Sequence, residues 1–510
     1  MWRGCWDEPA VTLLSEIIAQ GVPAASHRPW PRVVVDEAAW RAAIDALADG
    51  LLTLVSLWGE PERVHMAVMD AGADVPTVLS LDCPADCYPS VGARHAPAIR
   101  LERALADLFG LRPDGAVDRR AWLDHGRWGR RHPLGETETA DESPPYRFLP
   151  ADGQSLHQIA VGPVHAGIIE PGHFRFTANG ETVVRLEARL GYLHRGLEAR
   201  MVGQTPDQAA RFAARASGDS TVAYAIAFAR AVEAALETPA PDRAVWLRAL
   251  MAELERLANH LGDIGAICND ASFALMHAHC AVLRERVLRA AAGAFGHRLM
   301  MDAVAPGGVS VDPRAGEMAI VRDLVAAVRD RFPALIALYD ETASLQDRTV
   351  GTGIVSAALV RRFAAGGYVG RASNRAFDAR RALPYPPYDR LDFEPPVREA
   401  GDVNARVWIR IDEVAQSLAL LEQIMDRLPE GSVRRELPRG SGEGMALVEG
   451  FRGDILAWLR IEAGHIDRCH LRDPSWFQWP LLEACIEGNI VADFPLCNKS
   501  FNCAYAGVDL

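Results

Sequence analysis

This chain has no long apolar run, no surplus of positive charge and no cysteine set at metal-binding spacing. Each absence removes a class of function. Nowhere in its 510 residues do about eighteen apolar residues follow one another, so no direct membrane span is expected. Acidic residues outnumber basic ones, 67 against 54, for a formal charge of −13. Nucleic acid, which demands a basic face, is therefore not an expected partner, and a polybasic membrane-surface role has no support. The first 21 residues carry acidic side chains where a secretory leader needs a positive region and then a clean apolar one. Nine cysteines, an odd count scattered along the chain, fit a reducing compartment. Nucleotide signatures are missing as well: GxGxxG after a strand, GxxxxGK[ST], HExxH and GxSxG do not occur. NAD, ATP and flavin thus have no visible site. The glycine-rich run 438–444 lacks the spacing of a phosphate cradle and reads as a loop.

What is present points to a large folded protein. Hydrophobic residues make up 49% of the chain, and its length allows two or more domains. Residues 1–135 read as a small α/β domain, with a helical start, strand-like runs at 51–55 and 64–68, and an Arg- and Leu-rich helix over 99–111. An acidic, proline-containing stretch without apolar period, 136–150, reads as a linker. Residues 151–510 read as a larger, mainly helical domain that opens on a β-rich hairpin. Within 156–189 the run 182–187 alternates as a half-buried strand, and Asn179-Gly180 marks a hairpin turn before it. Apolar residues at three- and four-residue steps predict helices over 222–236 and 244–261, with further helices over 316–345 and 403–428. A Gly-, Arg- and Pro-rich loop region fills 351–396. The fold class expected is α+β.

Two short segments about 250 residues apart carry the most chemistry: Arg215-Ala216-Ser217-Gly218-Asp219-Ser220 and Asp473-Pro474-Ser475-Trp476-Phe477-Gln478. Alone, the first would be a helix cap or a turn. With Cys at 217, 220, 475 and 478 they would be the RxCGxC and DPCxxC signatures that hold nickel and iron. Other segments follow in order: 162–175 (GPVHAGIIEPGHFR), 191–198 (GYLHRGLE), 253–261 (ELERLANHL), 306–309, 370–373, 384–388 and 449–453. In the first domain, 88–90 and 101–111 join them. Together they resemble the large subunits of group 4, energy-converting [NiFe] hydrogenases of the formate hydrogenlyase type. Close relatives of that family are two adjoining subunits of respiratory complex I, and residues 1–135 resemble the small hydrophilic one. The resemblance covers most of the chain.

That resemblance implies a peripheral-arm, oxidoreductase-type subunit of a membrane-bound complex, cytoplasmic and held to the inner membrane through its partners. Those partners would be a small subunit bearing a [4Fe–4S] cluster and antiporter-like membrane subunits, and the implied task is electron transfer, with a quinone as one candidate acceptor, coupled to proton or ion translocation. Two departures qualify it. Ser217, Ser220, Ser475 and Gln478 replace the four thiolates, and neutral oxygen donors do not suit nickel or low-spin iron, so no metal centre is expected in this chain. The quinone-binding pair of the complex I relatives, a hairpin His and a helix Tyr, is also incomplete. His165 lies in the hairpin, Glu170 falls near the position of that His, and Ala214 stands at the Tyr position. Asp219, Arg215 and Asp473 are expected to converge on the emptied pocket. Glu170, His165 and Asp219 would form a proton relay there, or Arg215 and Asp219 a merely structural pair. Asp270 aligns with a buried acid of the quinone subunits, or else caps a helix. A scaffold that only transmits conformational change is the alternative reading. Cys83 with Cys87, and Cys497 with Cys503, are too few for a closed metal site and read as small core residues.

Overall fold

Strand and helix alternate along the first 140 residues because runs of Val, Leu and Ile are cut by short polar turns. A computed structural model describes residues 13–70, 73–139, 145–167 and 169–510. Two compact units emerge, 1–121 with 128–141 and 122–127 with 142–510. In the first, helix α1 (Leu13–Gln20) precedes β1 (Val22–Pro23), β2 (Arg32–Val34), α2 (Glu37–Ala48), β3 (Leu52–Glu60), β4 (Arg63–Asp70), β5 (Ala73–Asp82) and α3 (Ile99–Phe109). The sheet order is β1-β2-β5-β4-β3, parallel only between β2 and β5. Asp36 caps α2 by accepting from the Ala39 amide at 2.8 Å. The helical start expected from the sequence lies partly in residues 1–12, outside those described.

The second unit opens with an antiparallel sheet, β6 (Leu156–Val161), β7 (His173–Asn179) and β8 (Thr182–Arg189). Asn179 pairs with Thr182, which puts Gly180 and Glu181 in the turn, one residue beyond the expected pair. Gly180 takes a φ of 59°, a conformation glycine adopts without penalty. Helices follow: α4 (Pro206–Ala213), α5 (Thr221–Ala235), α6 (Asp242–Asp270), α7 (Ala274–Phe295), α8 (Ala315–Glu341), α9 (Gly367–Ala372), α10 (Ala379–Ala382) and α11 (Val403–Arg427). A meander β9 (Gly442–Gly450), β10 (Gly453–Glu462) and β11 (His465–Arg472) then leads into α12 (Ser475–Cys485) and α13 (Phe494–Phe501).

The meander corrects the loop reading of 438–444, because β9 begins at Gly442. A Cβ at Gly442 would stand 2.1 Å from the Ala235 carbonyl oxygen, and one at Gly444 1.9 Å from that of Ala231. The glycines are there so that α5 can lie directly on the strand.

An ionic cluster holds the helices together. Glu253 on α6 accepts from Arg380 at 2.9 Å, from the Tyr388 hydroxyl at 2.7 Å and from Ser417 at 2.7 Å. Glu413 on α11 pairs with His260 at 2.5 Å and with Arg371, which also reaches Glu449 at 3.1 Å. These groups are all buried, so each charge is tolerated only because it is paired. Arg256 completes the arrangement by donating to the carbonyls of Gly450 and Glu449 at 3.0 and 2.9 Å. It thereby fixes the β9–β10 turn that carries Arg452.

Candidate functional site

Four pieces of chain meet around the positions singled out by the sequence: the 217–220 turn ahead of α5, the β9–β10 turn, the start of α12, and the last residues after α13. Their hub is Arg452. Its guanidinium donates to both carboxylate oxygens of Asp219, at 2.6 and 2.5 Å, and to the Ser220 hydroxyl at 3.3 Å. Its Nε donates to the Asn502 carbonyl, and its own carbonyl accepts from Gln478 Nε2 at 2.7 Å. Only 5% of the Arg452 side chain is exposed, against 36% for Asp219. Burial would raise the Asp219 carboxyl, but Arg452 and the Ser217 hydroxyl outweigh it and hold it below the usual carboxylate range.

Arg215 does not join this hub. It forms a bidentate pair with Asp302 at 2.8 and 2.7 Å, on a surface where both side chains are about 40% exposed. It also donates to the Arg211 carbonyl at the end of α4, which directs it away from the 217–220 turn. The cation for Asp219 comes instead from Arg452, which lies in the 449–453 segment but carries no local sign of this pairing. Asp473 does converge. Its Oδ2 accepts from the Tyr224 hydroxyl at 2.7 Å, and its Oδ1 from the Ser475 amide at 2.8 Å.

Ser217, Ser220, Ser475 and Gln478 are buried and hydrogen-bonded. Ser217 donates to Asp219 at 2.8 Å, and Ser220 lies against Asp219 and Arg452. Ser475 Oγ accepts from the Ala504 amide at 2.9 Å, and Gln478 is tied to the Arg452 carbonyl. A nickel–iron centre does not fit this set. It offers neutral hydroxyl oxygens and the Gln478 amide, whose Nε2 is tied to the Arg452 carbonyl and whose Oε1 is buried without a partner, with a guanidinium beside them, in place of soft anionic sulfur.

A cavity of about 200 Å³ opens beside Gly218 and Asp219, bounded by Glu255, Asn259 and Arg284 among others. Asn259 donates to the Asp219 carbonyl at 2.7 Å. Glu255 accepts the Val222 and Ala223 amides at the start of α5, at 2.7 and 3.1 Å. Burial lifts the Glu255 carboxyl to about 8, helped by Asp219 and opposed by those two amides. Two carboxyl groups at one cavity thus sit on opposite sides of neutrality, Asp219 ionised and Glu255 largely protonated. Glu255 lies in the 253–261 segment, yet its spacing gave no reason to separate it from a helical core acid.

The remaining candidates are dispersed. His165 Nε2 lies 2.7 Å from the Gly172 carbonyl, within the loop between β6 and β7. Glu170 is exposed and accepts from the Ala506 amide at 3.0 Å. No hydrogen bond or ion pair among the described residues links either of them to Asp219. Asp270 ends α6, about 22 Å along the helix from Glu255 at the usual rise. Burial raises its carboxyl, with Lys499 opposing. Ala214 is buried and offers no hydroxyl.

The last residues thread this region. Ala504 reaches Ser475, and Ala506 reaches Glu170. Gly507 passes so close to Asp473 that a Cβ there would stand 2.4 Å from Oδ2. No described helix is long and apolar enough to cross a membrane.

Comparison with known proteins gives a consistent set of relatives. Residues 270–441 match the family described as respiratory-chain NADH dehydrogenase, 49 kDa subunit, and residues 195–262 match nickel-dependent hydrogenase. Formate hydrogenlyase subunit 5 of Escherichia coli K12 is 30% identical over 479 residues, 89% of this chain and 84% of that protein. An NADH-quinone oxidoreductase subunit of Syntrophobacter fumaroxidans is 31% identical over 357 residues, 68% of this chain and 95% of that protein. Among solved structures, a chain of the membrane-bound sulfane sulfur reductase, an archaeal respiratory membrane complex, superposes with a TM-score of 0.66 at 27% identity. That match covers 71% of this chain and all of the other.

Proposed function

We propose that this chain, which belongs to the family joining the 49 kDa subunit of respiratory-chain NADH dehydrogenase to the large subunits of nickel-dependent hydrogenases, is a peripheral subunit of a membrane-bound redox complex in which it handles protons rather than hydrogen. The observation that carries this reading is the Asp219–Glu255 pair. One carboxyl is held ionised by Arg452 and the other is kept protonated by burial, at a cavity beside the former metal-ligand positions. Of the two, Glu255 can take up and release a proton near neutral pH without a metal, while Asp219 remains a fixed negative charge beside it. Electron transfer would belong to an iron–sulfur partner subunit. With Ala214 at the Tyr position, a quinone would lack one of its two expected hydrogen-bonding groups here, which favours an acceptor held mainly by partners.

Replacing Asp219 by Asn and Glu255 by Gln, separately, in the assembled complex tests the reading. Proton-coupled turnover should fall by about a hundredfold, the lower end of what a positioned acid or base contributes, with subunit composition unchanged. Wild-type turnover in both variants would leave the scaffold reading in its place.

A further inference from the structure

Away from the Asp219 cavity, α5 and α6 enclose a second one of about 330 Å³ with the 385–390 segment. Arg230 faces it, about 14 Å along α5 from Thr221. Among the described residues no carboxylate or carbonyl hydrogen-bonds this guanidinium. Its Nε is buried without a partner, and the guanidinium carbon lies 4.6 Å from the centre of the Tyr385 ring. Glu233, three residues on, has the helical spacing to pair with it. It is instead bound on both oxygens by Arg248, at 3.0 and 2.5 Å, and also accepts from the Gly307 amide at 2.9 Å. The other carboxylate in the wall, Asp242, is taken by Arg390 at 2.7 Å. Among the described residues, every charge around the cavity is therefore matched except one cation.

The rest of the wall is apolar: Ile226, Val245, Ala249 and the Pro386-Pro387 pair lie beside the two tyrosine rings. The tyrosine hydroxyls point elsewhere, that of Tyr388 to Glu253 at 2.7 Å and that of Tyr385 to the Glu449 amide at 3.3 Å. Leaving a buried guanidinium nitrogen without a partner is costly, and a ligand that completes it recovers that cost. An inorganic dianion would match the charge poorly and leave the apolar wall wet. A ligand with one negative charge on a flat apolar body satisfies both halves. The volume falls at the small end of the range for small-molecule sites.

We propose that this cavity is a binding site for an aromatic or similarly apolar monocarboxylate, whose carboxylate pairs with Arg230 and whose body lies against the Tyr385–Tyr388 wall. The site is separate from the Asp219 cavity and does not depend on the function proposed for it.

Benzoate and its neutral isostere benzamide are suitable probes, titrated against the full chain and followed by ligand-observed NMR and thermal shift. Benzoate should bind with a Kd of roughly 1 mM, the scale expected for so small a ligand. The R230M variant should bind it at least about tenfold more weakly while leaving benzamide unaffected, as loss of a charge-assisted pair requires. Because R230M removes an unpaired cation, its ligand-free melting temperature should equal or exceed that of the wild type. An A240W variant, which fills the cavity from another lining residue and leaves Arg230 in place, should also abolish binding and keeps the test valid if R230M misfolds. Benzoate binding equally well to wild type, R230M and A240W would overturn the proposal. So would absence of binding up to about 20 mM, well above that Kd, or inorganic phosphate stabilising the wild type more than benzoate does.

Discussion

Breaking the Asp219–Arg452 pair should cost more than either residue's position suggests, and the cost should be recoverable. Asp219→Ala leaves the Arg452 guanidinium, only 5% exposed, with the Ser220 hydroxyl and the Asn502 carbonyl as its partners. Removing one member of a buried ion pair costs about 3–5 kcal/mol. The exposed flank of Asp219 lets water reach the site, which places this case at the low end, about 3 kcal/mol. For a unit of about 375 residues that corresponds to a melting-temperature drop of about 4 °C. Arg452→Met should cost a similar amount by stranding the carboxylate. The double variant should lose clearly less than the sum of the two, because no unpaired charge remains. The sign with pH follows from the direction of the shift. A carboxyl held below its ordinary value contributes stability at neutral pH, and that contribution is lost as pH falls below about 4, its unfolded value. Differential scanning calorimetry of the wild type, both single variants and the double provides the assay. Strictly additive single effects, or a D219A melting temperature equal to wild type, would refute the argument.

Glu255 should behave in the opposite sense. Its folded carboxyl lies near 8, above the unfolded value, so its contribution weakens as pH rises from about 4.5 to 8. E255Q should melt close to wild type at pH 5 and above it at pH 8, and parallel curves across that range would contradict the assignment. At Gly507, alanine would drive a methyl into the Asp473 carboxylate and disturb the bond from Tyr224. G507A should lose about 1–3 kcal/mol of stability in chemical denaturation, as overpacking does, whereas a neutral result would mean that the last turn is free to shift. Metal analysis of the purified chain should return no stoichiometric nickel, and one nickel per chain would overturn the chemistry assigned to Ser217, Ser220, Ser475 and Gln478.

Much of the architecture was legible because it is written in local periodicity. The helices over 222–236 and 403–428 and the strands near 51 and 64 carry clear apolar patterns, and their observed bounds lie close by. The meander beginning at Gly442 was not legible, since glycines that admit a neighbouring helix look the same in sequence as those that end a loop. The site divides along similar lines. The positions 217, 220, 475 and 478 stood out from motif spacing read together with the resemblance along the rest of the chain. Arg452 did not, because its partner Asp219 is 233 residues away and only the fixed β9–β10 turn brings them together. Arg215 was misplaced for the converse reason: closeness in sequence to Asp219 is no guide to direction, and the end of α4 turns it towards Asp302. Glu255 became distinctive only through burial and its capping of α5, neither of which is visible in a helical repeat.

The central claim is that this chain works as part of a membrane-bound redox assembly. The most direct measurement is to isolate it from detergent-solubilised native membranes and identify every co-purifying protein by mass spectrometry. We expect recovery with a small iron–sulfur subunit and with integral membrane proteins. Recovery of the chain alone, or only from the soluble fraction, would contradict that claim.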